Sequence, residues 1–231
     1  MKVAQQRDLL KVGLVHQVNW VDQEVADTTI NNLFLTGRWN FRPGERLRLN
    51  TYAHLGLWNN AGDYRLSGDL FVDLRPAGQL RIEGVNQLYS PTLQETRFYV
   101  SQRKIWENEF KQTLATSLAA TYSLPKLGFS ATGRYQLLNN YVYYDEQAIP
   151  RQLEEPVSIL QLIVEQNFKL GWLHLDNVLT LQNISENVIQ LPEFYSKHSV
   201  YLQGILFNNV LEFQIGVDVR LNASYAPYYY Q

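Results

Sequence analysis

Between residues 38 and 83, Arg38, Arg46, Arg48, Arg65 and Arg81 recur with Asp63, Asp69, Asp73 and Glu83 at mostly even spacings. Guanidinium and carboxylate groups placed side by side can impose a transverse field on an aqueous passage. Such a field orders water and sorts solutes by charge and size. The plain alternative is a solvated face of cross-strand ion pairs, each contributing little. The two signs are too balanced for their count to name anion or cation selectivity. Glu212, Asp218 and Arg220 repeat the pattern near the other end of the chain.

Other chemistry is weaker. His174 and Asp176 lie two apart behind Trp172, a spacing that could orient a general base. No G-x-S-x-G segment accompanies them, so no catalytic residue is expected. His16, His54, His174 and His198 show neither H-x-H nor H-E-x-x-H spacing, and no metal site is expected. Asp145, Glu146, Glu154 and Glu155 form an acidic loop whose simplest role is solvation, though such loops can hold calcium. No cofactor is implied. A net charge of −2 offers no basic field for nucleic acid, and the absence of cysteine removes disulfides, zinc thiolates and cysteine nucleophiles.

These charges need a scaffold that holds them on one side. The segment Leu211–Asn222 shows what kind. Leu211, Phe213, Ile215, Val217 and Val219 share one parity, while Glu212, Gln214, Asp218 and Arg220 share the other. Period-2 alternation is the signature of a two-faced β-strand. The same pattern recurs over 9–19, 30–41, 46–57, 63–74, 79–88, 108–122, 128–138, 157–168, 171–182, 198–206 and 210–222. Leu47, Leu49, Leu55, Leu70, Val72 and Phe129 fall on the apolar parity of their segments. No convincing helix or domain linker interrupts the series.

Length and connection discriminate further. Globular strands average about 5–6 residues, whereas membrane strands need about 9–11. Leu211–Asn222 alone extends about 40 Å at ~3.3 Å per residue. Short links at 42–45, 75–78, 123–127, 169–170 and 207–209 alternate with long ones at 20–29, 58–62, 89–107, 139–156 and 183–197. Transmembrane barrels sort their connections in this way. The sorting holds provided 94–103 belongs to a long excursion, which could fold in as a constriction. WENEF at 106–110 then marks its return, with Trp106 at the interface and Phe110 on the apolar side. Tyr141, Tyr143, Tyr144, Tyr225, Tyr228, Tyr229 and Tyr230 are expected as an aromatic girdle.

The fold expected is therefore all-β: an antiparallel up-and-down transmembrane β-barrel, partial, of about eleven or twelve strands. Apolar residues would face outer-membrane lipid, and charged ones would line a wet lumen. A soluble all-β binding module, for glycans through its tyrosines, is the competing class.

The stretches NNLFLTGRW (31–39), YAHLGL (52–57), NNAGDYRLSGDL (59–70), NQLYSPTLQE (86–95), WENEFKQT (106–113) and YSLPKLGFSATGRYQLLNNYVYYDE (122–146) resemble the family of putative porins of Bacteroidetes-type outer membranes. That resemblance covers residue 10 onward. It implies an outer-membrane barrel; together with the polar lumen face, the function expected is passive passage of small polar solutes, without enzymatic activity. It also implies a longer protein, so residues 1–231 are expected to form one barrel region, truncated at both ends and without separate domains. Flanking strands, or a partner chain, would close the barrel. A structural or plugged barrel without transport is the variant reading.

Overall fold

The computed structural model describes residues 9–22, 27–186, 188–208 and 210–225. The chain forms β1 (Leu10–Val21), β2 (Thr28–Phe41), β3 (Leu47–Gly56), β4 (Tyr64–Asp73) and β5 (Gln79–Tyr89). An excursion follows, made of α1 (Leu93–Thr96), β6 (Arg97–Val100) and β7 (Arg103–Glu107). The long strands resume as β8 (Thr113–Leu124) and β9 (Phe129–Asn139), separated by a hairpin β10 (Val142–Tyr144) and β11 (Pro150–Gln152) from β12 (Val157–Leu170). Then come β13 (Leu173–Ile184), β14 (Phe194–Leu206) and β15 (Leu211–Asn222).

Eleven of these strands make one antiparallel sheet, in the order β1-β2-β3-β4-β5-β8-β9-β12-β13-β14-β15. Each strand pairs with its sequence neighbour among the long strands, which is an up-and-down meander. The strands run from 10 to 14 residues, matching the length expectation. β1 and β15 are the two edges, and no ladder joins them among the described residues. The described strands thus form an open wall, not the closed circle that the word barrel implies.

Connection lengths sort strictly. Turns over 42–46, 74–78, 125–128, 171–172 and 207–210 lie at one end, and the longer links lie at the other. The tight end needs special backbone. Gly78 has φ +107°, and a methyl built there would sit 2.5 Å from the Ser123 carbonyl oxygen, so only glycine fits without strain.

Boundaries moved at three places. The strand expected over 108–122 begins at Thr113, because WENEF divides between β7 and the link after it. The strand expected from 198 begins at Phe194, and β1 runs on to Val21. Residues 94–103 do belong to an excursion outside the wall. Arg46 lies in the turn before β3, not on a strand. Tyr228, Tyr229 and Tyr230 lie outside the described residues.

Candidate functional site: a charged sheet face

The pairing registers decide which side chains share a face. Cross-strand partners Leu49–Leu70, Leu70–Ile82, Ile82–Ala120, Leu118–Tyr135, Leu162–Leu181, Leu175–Val200 and Val200–Val217 carry one face from β3 to β15. Leu10–Trp39 and Phe41–Leu49 extend it to β1. Leu47, Leu55, Val72, Phe129, Leu211, Phe213, Ile215 and Val219 belong to this same face. No Asp, Glu, Lys or Arg of the eleven strands lies on it. Every one falls on the opposite face: Lys11, Arg38, Arg48, Arg65, Asp69, Asp73, Arg81, Glu83, Arg134, Glu165, Lys169, Asp176, Lys197, Glu212, Asp218 and Arg220.

The apolar face is open. Leu118 is 57% exposed, Leu160 59%, Ile215 67% and Val217 66%. No second sheet packs against it among the described residues, and only Ala119, Val157 and Ile159 are buried hydrophobics. Its polar members are tied to neighbours. Tyr64 OH donates to Asn86 Oδ1 at 2.7 Å, and Asn86 Nδ2 donates to Thr116 Oγ1 at 2.7 Å. His198 Nδ1 and Asn177 Oδ1 are 2.8 Å apart, and Asn177 Nδ2 donates to the Gln166 carbonyl at 3.0 Å. Polar groups in an apolar surround demand such partners. Beside the first cluster, Gly37, Ala53, Gly68 and Gly84 leave a shallow hollow of about 790 Å³. Neither cluster was legible in parity alone, because alternation reports direction and not pairing.

On the charged face the acids are already engaged over β2–β9. Arg81 Nε meets Asp69 Oδ2 at 2.5 Å, and Arg81 Nη2 meets Glu83 Oε1 at 3.1 Å. Asp69 also accepts from Asn50 Nδ2 at 3.3 Å. Asp73 binds Arg75 of the adjoining turn through Nε at 2.5 Å and through the backbone N–H at 3.1 Å. The guanidinium groups of Arg38 and Arg48 rest instead on aromatic rings, 5.3 Å from the Tyr52 centroid and 4.2 Å from the Phe71 centroid. Arg65 Nη1 donates to Gln87 Oε1 at 2.6 Å. Farther along, Asp218 lies 3.7 Å from Lys197 Nζ and 3.8 Å from Arg220 Nη2, and Gln203 donates to Glu212 at 3.2 Å.

The His174–Asp176 pair does not assemble. His174 stacks on Tyr201 with centroids 4.8 Å apart, and Asp176 accepts from Tyr201 OH at 2.9 Å. No group of three or more His, Cys, Asp or Glu with metal-binding geometry occurs among the described residues. Asp145 of the acidic loop is held by its own hairpin, accepting from the backbone N–H of Ile149 at 2.9 Å and of Gln147 at 3.0 Å, and from Arg151 Nε at 3.0 Å. These contacts, that of Ile149 foremost, keep its carboxyl below the ordinary aspartate range.

The long-loop end is covered by the excursion. Arg97 Nη2 donates to Thr28 Oγ1 at 2.6 Å, and Thr28 lies on the charged face of β2, two strands past β4 from the excursion's root. Trp106 stacks on Phe98 at 4.8 Å, packs edge-on to Tyr144 at 6.4 Å, and donates from Nε1 to the Gln94 carbonyl at 2.9 Å. Trp106 therefore anchors a loop hairpin and does not mark a strand's re-entry. Tyr143 and Tyr144 belong to the β10–β11 hairpin, beyond the wall.

A long-stranded antiparallel meander with one open apolar face, one charged face and sorted turns has the architecture of a porin-type wall. The chain belongs to the family described as "Putative porin", whose model matches residues 4–231. No curated protein and no solved structure matches it.

Proposed function

We propose that this wall lines an outer-membrane pore through which small polar solutes diffuse passively. The observation that supports it most is the complete segregation of charge: fifteen-odd ionic side chains on one face and none on the other would be a costly accident on a sheet wetted on both sides. On this reading Leu47, Leu49, Leu55, Leu70, Val72, Phe129, Leu211, Phe213, Ile215, Val217 and Val219 touch lipid. Arg38, Arg48, Arg65, Asp69, Asp73, Arg81, Glu83, Glu212, Asp218 and Arg220 line the passage, and Arg46, in the turn before β3, stands at its tight-turn rim. The excursion, tied to Thr28 and Tyr144, lies at the long-loop end of the passage.

The open edges β1 and β15 need partners in hydrocarbon, supplied by further strands of the protein or by another chain. No reaction belongs to this function. Single-channel recording of the full-length protein in a planar bilayer tests it. Stepwise conductance supports a pore, whereas a membrane-bound protein that passes no current is a plugged or structural wall. A protein that partitions into the aqueous phase without detergent is a soluble sheet.

A further inference from the structure

The balance of signs along the sequence hides an imbalance in the fold. Over wall strands β2–β9 the carboxylates are Asp69, Asp73 and Glu83, and each already contacts a guanidinium: Asp69 and Glu83 that of Arg81, Asp73 that of Arg75. Arg38, Arg48, Arg65 and Arg134 have no carboxylate within ion-pair distance among the described residues. A solute passing this stretch meets cations whose counter-charges are absent and anions whose counter-charges are in place.

Two of the free cations flank one strand. Arg38 is the cross-strand partner of Tyr52, and Arg65 is the partner of His54. They stand on opposite sides of β3, two strand spacings across the sheet and two residues along it, about 12 Å between backbones. Between them Tyr52 OH and His54 Nδ1 are 3.2 Å apart. The hollow there, about 400 Å³, is also lined by Asn50, Ser67 and two carboxylates, Asp69 and Glu83, both of which contact Arg81. Stacking on Tyr52 occupies one face of the Arg38 guanidinium and leaves its edge N–H donors without protein acceptors among the described residues. Arg65 gives one nitrogen to Gln87 and keeps the rest. A planar fork with free edge donors matches the paired oxygens of a carboxylate or phosphate.

We propose that Arg38 and Arg65, with Tyr52 of β3 between them and Ser67 beside Arg65 on β4, form a transit site for small oxyanions, carboxylates and phosphate monoesters, so that the pore prefers anions. This rests on the pore reading above and gives it a substrate class. The test is a bilayer recording of the full-length protein under a potassium chloride gradient, followed by addition of inorganic phosphate or acetate. The reversal potential is expected on the anion side, and both oxyanions are expected to reduce the chloride current. Phosphate is expected to do so at lower concentration.

R38Q/R65Q should lower the chloride-to-potassium permeability ratio by roughly tenfold per guanidinium, since one unit charge at ~6 Å in a wet lumen changes each ion by about threefold in opposite directions. It should also abolish the block. R38K/R65K should keep the ratio and weaken the block, because charge survives while the planar fork does not. A wild-type reversal potential on the cation side, or a ratio and block unchanged in R38Q/R65Q, overturns the transit site and leaves the pore standing. Absence of any channel overturns both.

Discussion

Leu118 lies at the middle of β8, on the apolar face, between Gly84 and Tyr135. It is 57% exposed. In water, replacing so exposed a side chain with arginine changes stability by about 0.5 kcal/mol or less. In a bilayer the same position sits at the midplane, where arginine on a barrel's lipid face costs about 2–4 kcal/mol. Loss of the leucine's own lipid contact adds roughly half the ~1.5–3 kcal/mol of a fully buried leucine. The expected penalty for Leu118→Arg is thus about 3–5 kcal/mol. With a urea slope of roughly 2 kcal/mol/M, the unfolding midpoint of the full-length protein in lipid vesicles should fall by about 2 M. Ser117→Arg, one residue away on the charged face, is the internal control and should move the midpoint by under ~0.5 M. Equal shifts for the two variants, or no shift for Leu118→Arg, would refute the facing assignment.

Val217→Arg on β15 should cost about 2–4 kcal/mol in the same titration, while Asp218→Asn keeps an acceptor for the Ser199 hydroxyl and weakens exposed pairs with Lys197 and Arg220, so it should leave the midpoint in place; the reverse order would contradict the register. Gly78→Ala forces a methyl toward the Ser123 carbonyl at φ +107° and should destabilise by about 1–3 kcal/mol. Gly44→Ala, with open space around it, should be neutral, and matched midpoints would rule out the strain argument. Asp145 is held below its ordinary value of 3.8 by the Ile149 N–H and the Arg151 guanidinium. Its contribution to the β10–β11 hairpin is therefore present above that ordinary value and lost as pH falls through the lower folded one. Carboxyl NMR should show Asp145 titrating below the ordinary aspartate value, and an ordinary or raised value would break the account.

The wall was readable because alternation, strand length and loop sorting are all one-dimensional signals. Each of the eleven sheet strands has a counterpart in the periodic segments, including 157–168, where both parities carry apolar residues. The excursion was placed outside the wall by its effect on loop parity alone. What the sequence could not carry is contact across strands. WENEF looked like the landmark of a strand's re-entry, yet Trp106 stacks on Phe98 eight residues back and the wall resumes only at Thr113. His174 and Asp176 looked like a pair because they share a face. Tyr201, on the neighbouring strand, takes both: its ring stacks on one and its hydroxyl bonds the other. Which charges are paired is likewise invisible in a count of signs, since Arg81 reaches two carboxylates at once.

The open edges and the open apolar face constrain each other. An unpaired edge of a 12-residue strand such as β1 or β15 presents a row of about six N–H and six C=O groups on alternate residues. Water satisfies them at no cost. Hydrocarbon does not, and each orphan then costs several kcal/mol, a total of tens that exceeds the ~5–15 kcal/mol stability of a whole domain. Water, however, cannot favour the face that exposes Leu118, Leu160, Ile215 and Val217 together, because so large an apolar surface associates or aggregates. Either solvent alone leaves one feature unexplained. A bilayer against the apolar face, with strands paired at both edges, resolves the two together, and it is the same arrangement that leaves the charged face wet.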